Sequence, residues 1–132
     1  MKVVIAMDSW KGSLSSLEAG TAAAGGIRDA VPDAAIQIFP LADGGEGTVD
    51  AMLAPIGGKL QTVPVKDPLG RQVQASYAIL SSGTAVIEMA AASGLTLLAE
   101  EERNPLYTST YGTGQLILDA IQNGCRNFII GI

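Results

Sequence analysis

Residues 41–48 read LADGGEGT and place two carboxylates among three glycines, where a strand is predicted to end and a helix to begin. A tight turn requires glycine, but it does not require the acids Asp43 and Glu46. Two carboxylates would repel a bare polyphosphate, so hydroxyl groups or a divalent cation such as Mg²⁺ suit this loop better. The loop matches neither the P-loop nor the GxGxxG pattern. The alternative is a tight turn with capping acids.

Two further loops precede predicted helices in the same way, MDSWKGS at 7–13 and STYGTG at 109–114. Asp8 and Lys11 could present opposite charges to a ligand, or form a solvated ion pair beside a helix cap. Thr110 could contact a phosphate group, although Ser, Thr and Gly before a helix usually serve as a cap. Loops at the carboxyl ends of parallel strands meet at one edge of a sheet, so we expect all three loops to line one cleft.

Glu88 interrupts the apolar run AVIEMAAA. A buried carboxylate without a partner would cost several kcal/mol. Either its strand lies at the edge of a sheet, or Glu88 faces a functional site. In the second case Arg103 or Lys11 would be a natural partner, and the sequence leaves both explanations open.

Composition removes several classes of function. The 132 residues contain no histidine, which excludes Ser-His-Asp triads and histidine metal ligands. The net charge is −5 and the basic residues are dispersed, so we expect no nucleic-acid partner. No apolar run reaches the roughly 18 to 20 residues of a membrane span. The single cysteine, Cys125, and the absence of a signal-peptide pattern predict a cytoplasmic protein.

The order of patterns predicts an α/β fold. Residues 1–56 read as strand, helix, strand and helix, with two buried parallel strands. Residues 57–92 show the partial alternation and the turns of an antiparallel meander, typical of an insertion or second subdomain. Residues 93–132 return to a loop, a helix and a strand.

Four motifs together resemble one known family. MDSWKGSLSS, LADGGEGT, AVIEMAAASGL and RNPLYTSTYGTG occur in this order, and the likeness runs from Lys2 to Ile132. They resemble the N-terminal third of the bacterial glycerate kinase family, of the glycerate 2-kinase type. The family's next motif, a glycine-rich loop, would follow directly, so we expect this chain to be a fragment truncated before the later motifs.

The resemblance implies a flavodoxin-like or Rossmann-like domain with parallel sheet elements, interrupted by an inserted, partly antiparallel β-rich domain. It implies an enzyme that uses ATP and Mg²⁺ to phosphorylate D-glycerate, giving 2-phosphoglycerate or 3-phosphoglycerate and ADP. The fragment alone is expected to be inactive, and exposed sheet edges would favour a homodimer. Open alternatives are a kinase for another small hydroxy acid and a non-enzymatic, flavodoxin-like ligand-binding domain.

The resemblance also implies which residues line the cleft, without assigning a metal ligand. Lys11 and Arg103 are candidates to neutralise the substrate carboxylate or the phosphoryl oxygens. Asp8 or Asp43 could orient or deprotonate the attacking hydroxyl, and Glu46 could hold the other hydroxyl. The predicted catalytic residues are Asp8, Lys11 and Asp43, and the predicted substrate-binding residues are Gly44, Gly45, Glu46, Glu88, Arg103 and Thr110.

Overall fold

The computed structural model describes residues 1–10 and 13–132, which form two compact units. The first unit is Met1–Asp43 and the second is Gly44–Ile132. The first holds a parallel sheet and the second a mixed sheet, which confirms the predicted α/β class. In the described residues, no helix has the length and apolar character that crossing a membrane would require.

The first unit is a strand, a helix and a second strand. Strands β1 (Lys2–Met7) and β2 (Ala35–Pro40) pair in parallel, as their apolar sequences predict. The prediction that both strands are buried is wrong, because Ile5 is the only buried residue of the two strands and Val4 is 63% exposed. Helix α1 (Ser16–Ala30) connects them. The Ser15 hydroxyl accepts a hydrogen bond from the Glu18 amide at 3.3 Å, and the Glu18 carboxylate accepts the Ser15 amide at 2.8 Å. This reciprocal pair is a capping box, which fixes where α1 begins.

The second unit is built on a four-stranded sheet in the order β3-β4-β5-β6. The first two neighbouring pairs are antiparallel and the last is parallel. The antiparallel meander predicted from the alternating sequence is therefore present. Helix α2 (Thr48–Ile56) leads into the strands, which are β3 (Gly58–Lys66), β4 (Gln72–Leu80), β5 (Thr84–Glu88) and β6 (Asn127–Gly131).

The connection between β5 and β6 carries two of the predicted substrate-binding residues, Arg103 and Thr110. It contains the short helix α3 (Ala90–Ser93), two 3-10 turns at Leu95–Leu97 and Glu100–Glu102, and helix α4 (Tyr111–Gln122). Helix α4 begins close to the end of β3, since a methyl group at Gly112 would overlap the carbonyl oxygen of Lys66.

The two central strands of this sheet, β4 and β5, are packed on both faces. On one face Tyr77 and Ile87 pack with Leu116 of α4, and all three side chains are fully buried. On the other face Val86 packs with Val49 of α2. Alternate residues of β4 and β5 thus fill two separate cores, and these packed strands support the loops at the end of β5.

Candidate functional site

Glu88 is the last residue of β5, and β5 lies between β4 and β6. The edge-strand explanation for this carboxylate is therefore wrong. One carboxylate oxygen accepts the Val49 amide at 2.7 Å, which links the end of β5 to the first turn of α2. Burial raises the pKa of Glu88 and the Val49 hydrogen bond opposes that rise, while the negative charge of Asp50 adds to it. The net effect is a carboxylate that holds a proton more readily than an exposed one.

Glu46 and Glu88 line the same cavity, whose volume is about 270 Å³. Two acids from motifs that are far apart in the sequence are therefore brought together. The rest of the lining is the start of the β5–β6 connection, namely Ala90, Ala91, Gly94, Leu95, Thr96 and Leu97. A cavity with two carboxylates and otherwise small or apolar walls can hold a small molecule that donates hydrogen bonds.

The loop that carries Glu46 depends on glycine for its shape. Gly44 and Gly47 have φ angles of +106° and +92°, in the left-handed region that other residues rarely adopt. Gly47 is the residue directly before α2. A methyl group at Gly131, the end of β6, would overlap the carbonyl oxygen of Gly44. The backbone of β6 thus supports this loop directly, and Gly45 belongs to the same turn, where its carbonyl oxygen accepts the Thr48 hydroxyl at 2.8 Å.

Two of the predicted site acids, Asp8 and Asp43, belong to the first unit and follow its two paired strands. Asp8 comes directly after β1, and its carboxylate accepts the Ser9 amide at 2.6 Å. Asp43 lies three residues beyond Pro40, the end of β2. Because β1 and β2 are parallel neighbours, both acids follow carboxyl ends of the same small sheet, as the sequence predicts. Lys11 lies outside the described residues, and the meeting of all three loops in one cleft stays a prediction.

Thr110 lines a different cavity of the second unit, with a volume of about 400 Å³. Its side chain makes no capping hydrogen bond at the start of α4; the Ser109 hydroxyl accepts the Tyr111 amide instead, at 3.1 Å. The cap explanation therefore does not apply to the Thr110 hydroxyl. The other lining residues are Pro68, Ser93, Leu95, Leu98, Thr108 and Ser109, and Leu95 is shared with the cavity of Glu46 and Glu88.

Arg103 is not the partner of Glu88. Its guanidinium donates to the Leu98 carbonyl oxygen at 3.4 Å, and no ion pair joins it to Glu88 anywhere in residues 1–10 and 13–132. The buried end of Glu88 is compensated by the backbone of α2, which the sequence could not show because Val49 is far from Glu88 along the chain.

Asp67 and Arg71 form a polar cluster that sequence reasoning did not single out. Asp67 is only 2% exposed and accepts a hydrogen bond from the Arg71 side chain at 2.5 Å. Burial alone would raise the pKa of Asp67, but the hydrogen bonds from Arg71 and from backbone amides lower it overall. The pattern DPLGR, which is typical of a turn, is the signal that could have drawn attention to this acid.

The acids of the Glu46–Glu88 cavity also fit the donor set that Mg²⁺ prefers. Mg²⁺ in phosphate-transferring proteins is often held by one or two carboxylates together with substrate phosphates. In the part of the chain that the structure describes, no group of three or more Asp, Glu or Cys side chains could hold a metal by itself. Glu46 and Glu88 are therefore the acids of this cavity that could contribute oxygen ligands to Mg²⁺.

Comparisons with known proteins agree along the whole chain. A family model described as the glycerate kinase family matches residues 3–132. A glycerate 2-kinase of Escherichia coli (strain K12) is 53% identical over 100% of this chain and 35% of its own length. A glycerate kinase of Halalkalibacterium halodurans is 48% identical over 98% of this chain and 34% of its own length. A crystal structure assigned as glycerate kinase 2 from Salmonella typhimurium LT2 has a TM-score of 0.79 and 50% identity, covering 100% of this chain and 36% of that one. The chain thus spans about a third of the length of these relatives.

Proposed function

The chain belongs to the glycerate kinase family, and from this premise we propose that it supplies part of the active site of an enzyme that phosphorylates D-glycerate. The phosphoryl donor is the γ-phosphate of ATP, with Mg²⁺, and the products are ADP and 2-phosphoglycerate or 3-phosphoglycerate. The 132 residues alone are inactive in this proposal, because the remaining two thirds of a relative's length would complete the site.

The observation that carries the proposal is the cavity shared by Glu46 and Glu88. D-glycerate has two hydroxyl groups, and carboxylates are strong acceptors for hydroxyl donors. The Val49 amide occupies one oxygen of Glu88, which fixes the direction of the carboxylate. In this proposal Glu46 and Glu88 hold the hydroxyl groups of glycerate, and Gly44 and Gly45 shape the loop around them.

The charged groups of the substrates require cations and hydrogen-bond donors. We assign Arg103 and Lys11 to the glycerate carboxylate or the transferred phosphoryl group, because phosphoryl transfer depends on neutralising charge. We assign Thr110 to the same role, since it lines a cavity at the start of the twelve-residue helix α4. Mg²⁺, when bound, would bridge phosphate oxygens and offset their negative charge.

Asp43 and Asp8 are assigned to the attacking hydroxyl. A carboxylate within hydrogen-bond reach can orient that hydroxyl and take its proton as the phosphoryl group arrives. Both residues follow the carboxyl ends of β1 and β2, the place where ligands of parallel sheets are usually bound.

The proposal is tested in a chimera in which this chain replaces the matching segment of the Escherichia coli relative, which is 53% identical to it. ADP release is measured with ATP, Mg²⁺ and a panel of acceptors that includes D-glycerate, L-glycerate and other small hydroxy acids. D-glycerate is expected to give the highest kcat/KM. A different preferred acid would instead support the alternative hydroxy-acid kinase, and no acceptor-dependent ADP release would support a binding domain.

Asp43→Asn tests the assignment of the proton acceptor. We expect kcat to fall by about 10²-fold to 10⁴-fold, the usual contribution of a positioned general base. Asp33→Asn is the matched control, because Asp33 is an exposed acid of the same unit between α1 and β2. Equal kcat values for the two variants would contradict the role of Asp43.

A further inference from the structure

The turn between β3 and β4 is organised around a buried acid. One oxygen of Asp67 accepts the Leu69 amide at 2.9 Å and the Arg71 amide at 2.8 Å. The other accepts Nε of Arg71 at 2.5 Å. Because Asp67 is almost completely buried and bonded on both oxygens, it fixes the plane of the Arg71 guanidinium.

The far side of that guanidinium reaches the β5–β6 connection. Nη1 of Arg71 donates to the Glu102 carboxylate at 2.9 Å, and Nη2 donates to the Leu97 carbonyl oxygen at 3.0 Å. One side chain therefore holds both 3-10 turns of the connection to the hairpin. The flat fork of arginine can serve these acceptors and Asp67 together, whereas the single ammonium group of lysine cannot match the same geometry.

The β3–β4 turn also binds the β5–β6 connection at a second place, just before α4. The Pro68 carbonyl oxygen accepts the Ser109 amide at 3.0 Å, next to Thr110. The segment 95–110 is thus hydrogen-bonded to the β3–β4 turn near both of its ends. It supplies Leu97 to the cavity of Glu46 and Glu88, and it supplies Ser109 and Thr110 to the second cavity.

We propose that Arg71 is a positioning residue that sets the walls of both cavities by holding the segment 95–110, and that it thereby determines how tightly glycerate binds. The inference rests on the proposed function, because it takes these cavities as the place where substrate binds. Arg71 need not touch the substrate itself. It acts through the Leu97 carbonyl group and through Glu102, which directly precedes the proposed substrate-binding residue Arg103.

Arg71→Lys in the chimera separates positioning from a general structural role. The segment 95–110 carries proposed substrate-binding residues, whereas the proposed catalytic acids belong to the first unit. We therefore expect the KM for D-glycerate to rise about tenfold, with kcat and the KM for ATP within about twofold of the unaltered chimera. Arg28→Lys, an exposed arginine in the last turn of α1, is the matched control and should change nothing. An unchanged KM for glycerate, or a lower kcat at constant KM, would overturn the proposal.

Glu102→Gln provides a double-mutant test. If Arg71 acts through Glu102, the double variant should have a KM for glycerate close to that of Arg71→Lys alone. Increases in KM that multiply in the double variant would show that the two residues act independently, which is contrary to the proposal.

Hydrogen exchange of this chain gives a readout that does not depend on activity. The Glu102 and Arg103 amides donate to Ala99 and Glu100 within the segment, and we expect them to exchange about tenfold faster in Arg71→Lys, with β4 unchanged. Unchanged exchange, or acceleration that includes β4, would refute the positioning role. If the unaltered chimera lacks glycerate-dependent ADP release, the proposed function fails, while this measurement still decides the role of Arg71.

Discussion

Gly131→Ala perturbs the contact between β6 and the loop that carries Glu46. Gly131 ends β6, and a methyl group there would overlap the Gly44 carbonyl oxygen and lie 3.0 Å from the Gly44 carbonyl carbon. The neighbour is backbone, so it cannot turn aside as a flexible side chain would.

The size of the effect follows from the distance that has to be restored. Real Cβ contacts are essentially never under 3.0 Å, so the Gly44 carbonyl oxygen must move by about 1 Å. Inserting one carbon into a packed site typically lowers the free energy of unfolding by about 1 to 3 kcal/mol. Gly44 lies two residues before Glu46, and a displacement of about 1 Å at a reacting site can lower the rate about 10²-fold.

Urea unfolding of this chain and kcat/KM of the chimera measure the two effects. Gly114→Ala is the matched control, because Gly114 lies inside α4 and a methyl group there meets nothing within 4 Å. We expect the control to raise the free energy of unfolding by about 0.5 to 1 kcal/mol, since alanine favours a helix. If Gly131→Ala unfolded at the same urea concentration as the unaltered chain and kept its kcat/KM, the supporting role of β6 would be refuted.

Three further changes test individual contacts, each by urea unfolding. The pKa of Glu88 is raised in the folded chain, so its stabilising contribution is present below about pH 4 and is lost as the pH rises through the folded pKa. Glu88→Gln should therefore gain stability relative to the unaltered chain as the pH rises above about 4. The pKa of Asp67 is lowered, so Asp67→Asn should cost about 2 kcal/mol near neutral pH, and that difference should shrink as the pH falls below 3.8. Ser15→Ala should destabilise α1 by about 1 kcal/mol, whereas Ser13→Ala, the control, should not. Equal effects of the two serine changes would contradict the capping role of Ser15. Stability differences that do not change with pH would contradict the assignments of Glu88 and Asp67.

Local sequence patterns predicted most of the helices and strands, because interactions between residues close together in the sequence determine where these elements form. The apolar run at the start of the chain became β1, and Ser15 caps α1, a position that serine favours. The turn at 67–70 separates β3 from β4, as Asp, Pro and Gly in that order indicate. Each of these outcomes depends on residues within a few positions of one another.

The candidate site was only partly predictable, because its contacts join distant segments. The interrupted apolar run identified Glu88 as unusual, but its neighbours in the sheet and its bond to the Val49 amide depend on tertiary pairing. Arg71 resembles any exposed arginine in the sequence, since nothing local shows that Glu102 and Leu97 lie at its tip. Long-range hydrogen bonds of this kind leave no periodic signal in the sequence.

The most direct test of glycerate phosphorylation is phosphorus NMR of the chimera with ATP, Mg²⁺ and D-glycerate. The proposal predicts a new phosphate monoester signal that grows with ADP, split by one proton for 2-phosphoglycerate or by two for 3-phosphoglycerate. The intact Escherichia coli relative serves as the positive control. A chimera that folds but yields only inorganic phosphate, or no new signal while the control forms the ester, would contradict the proposal.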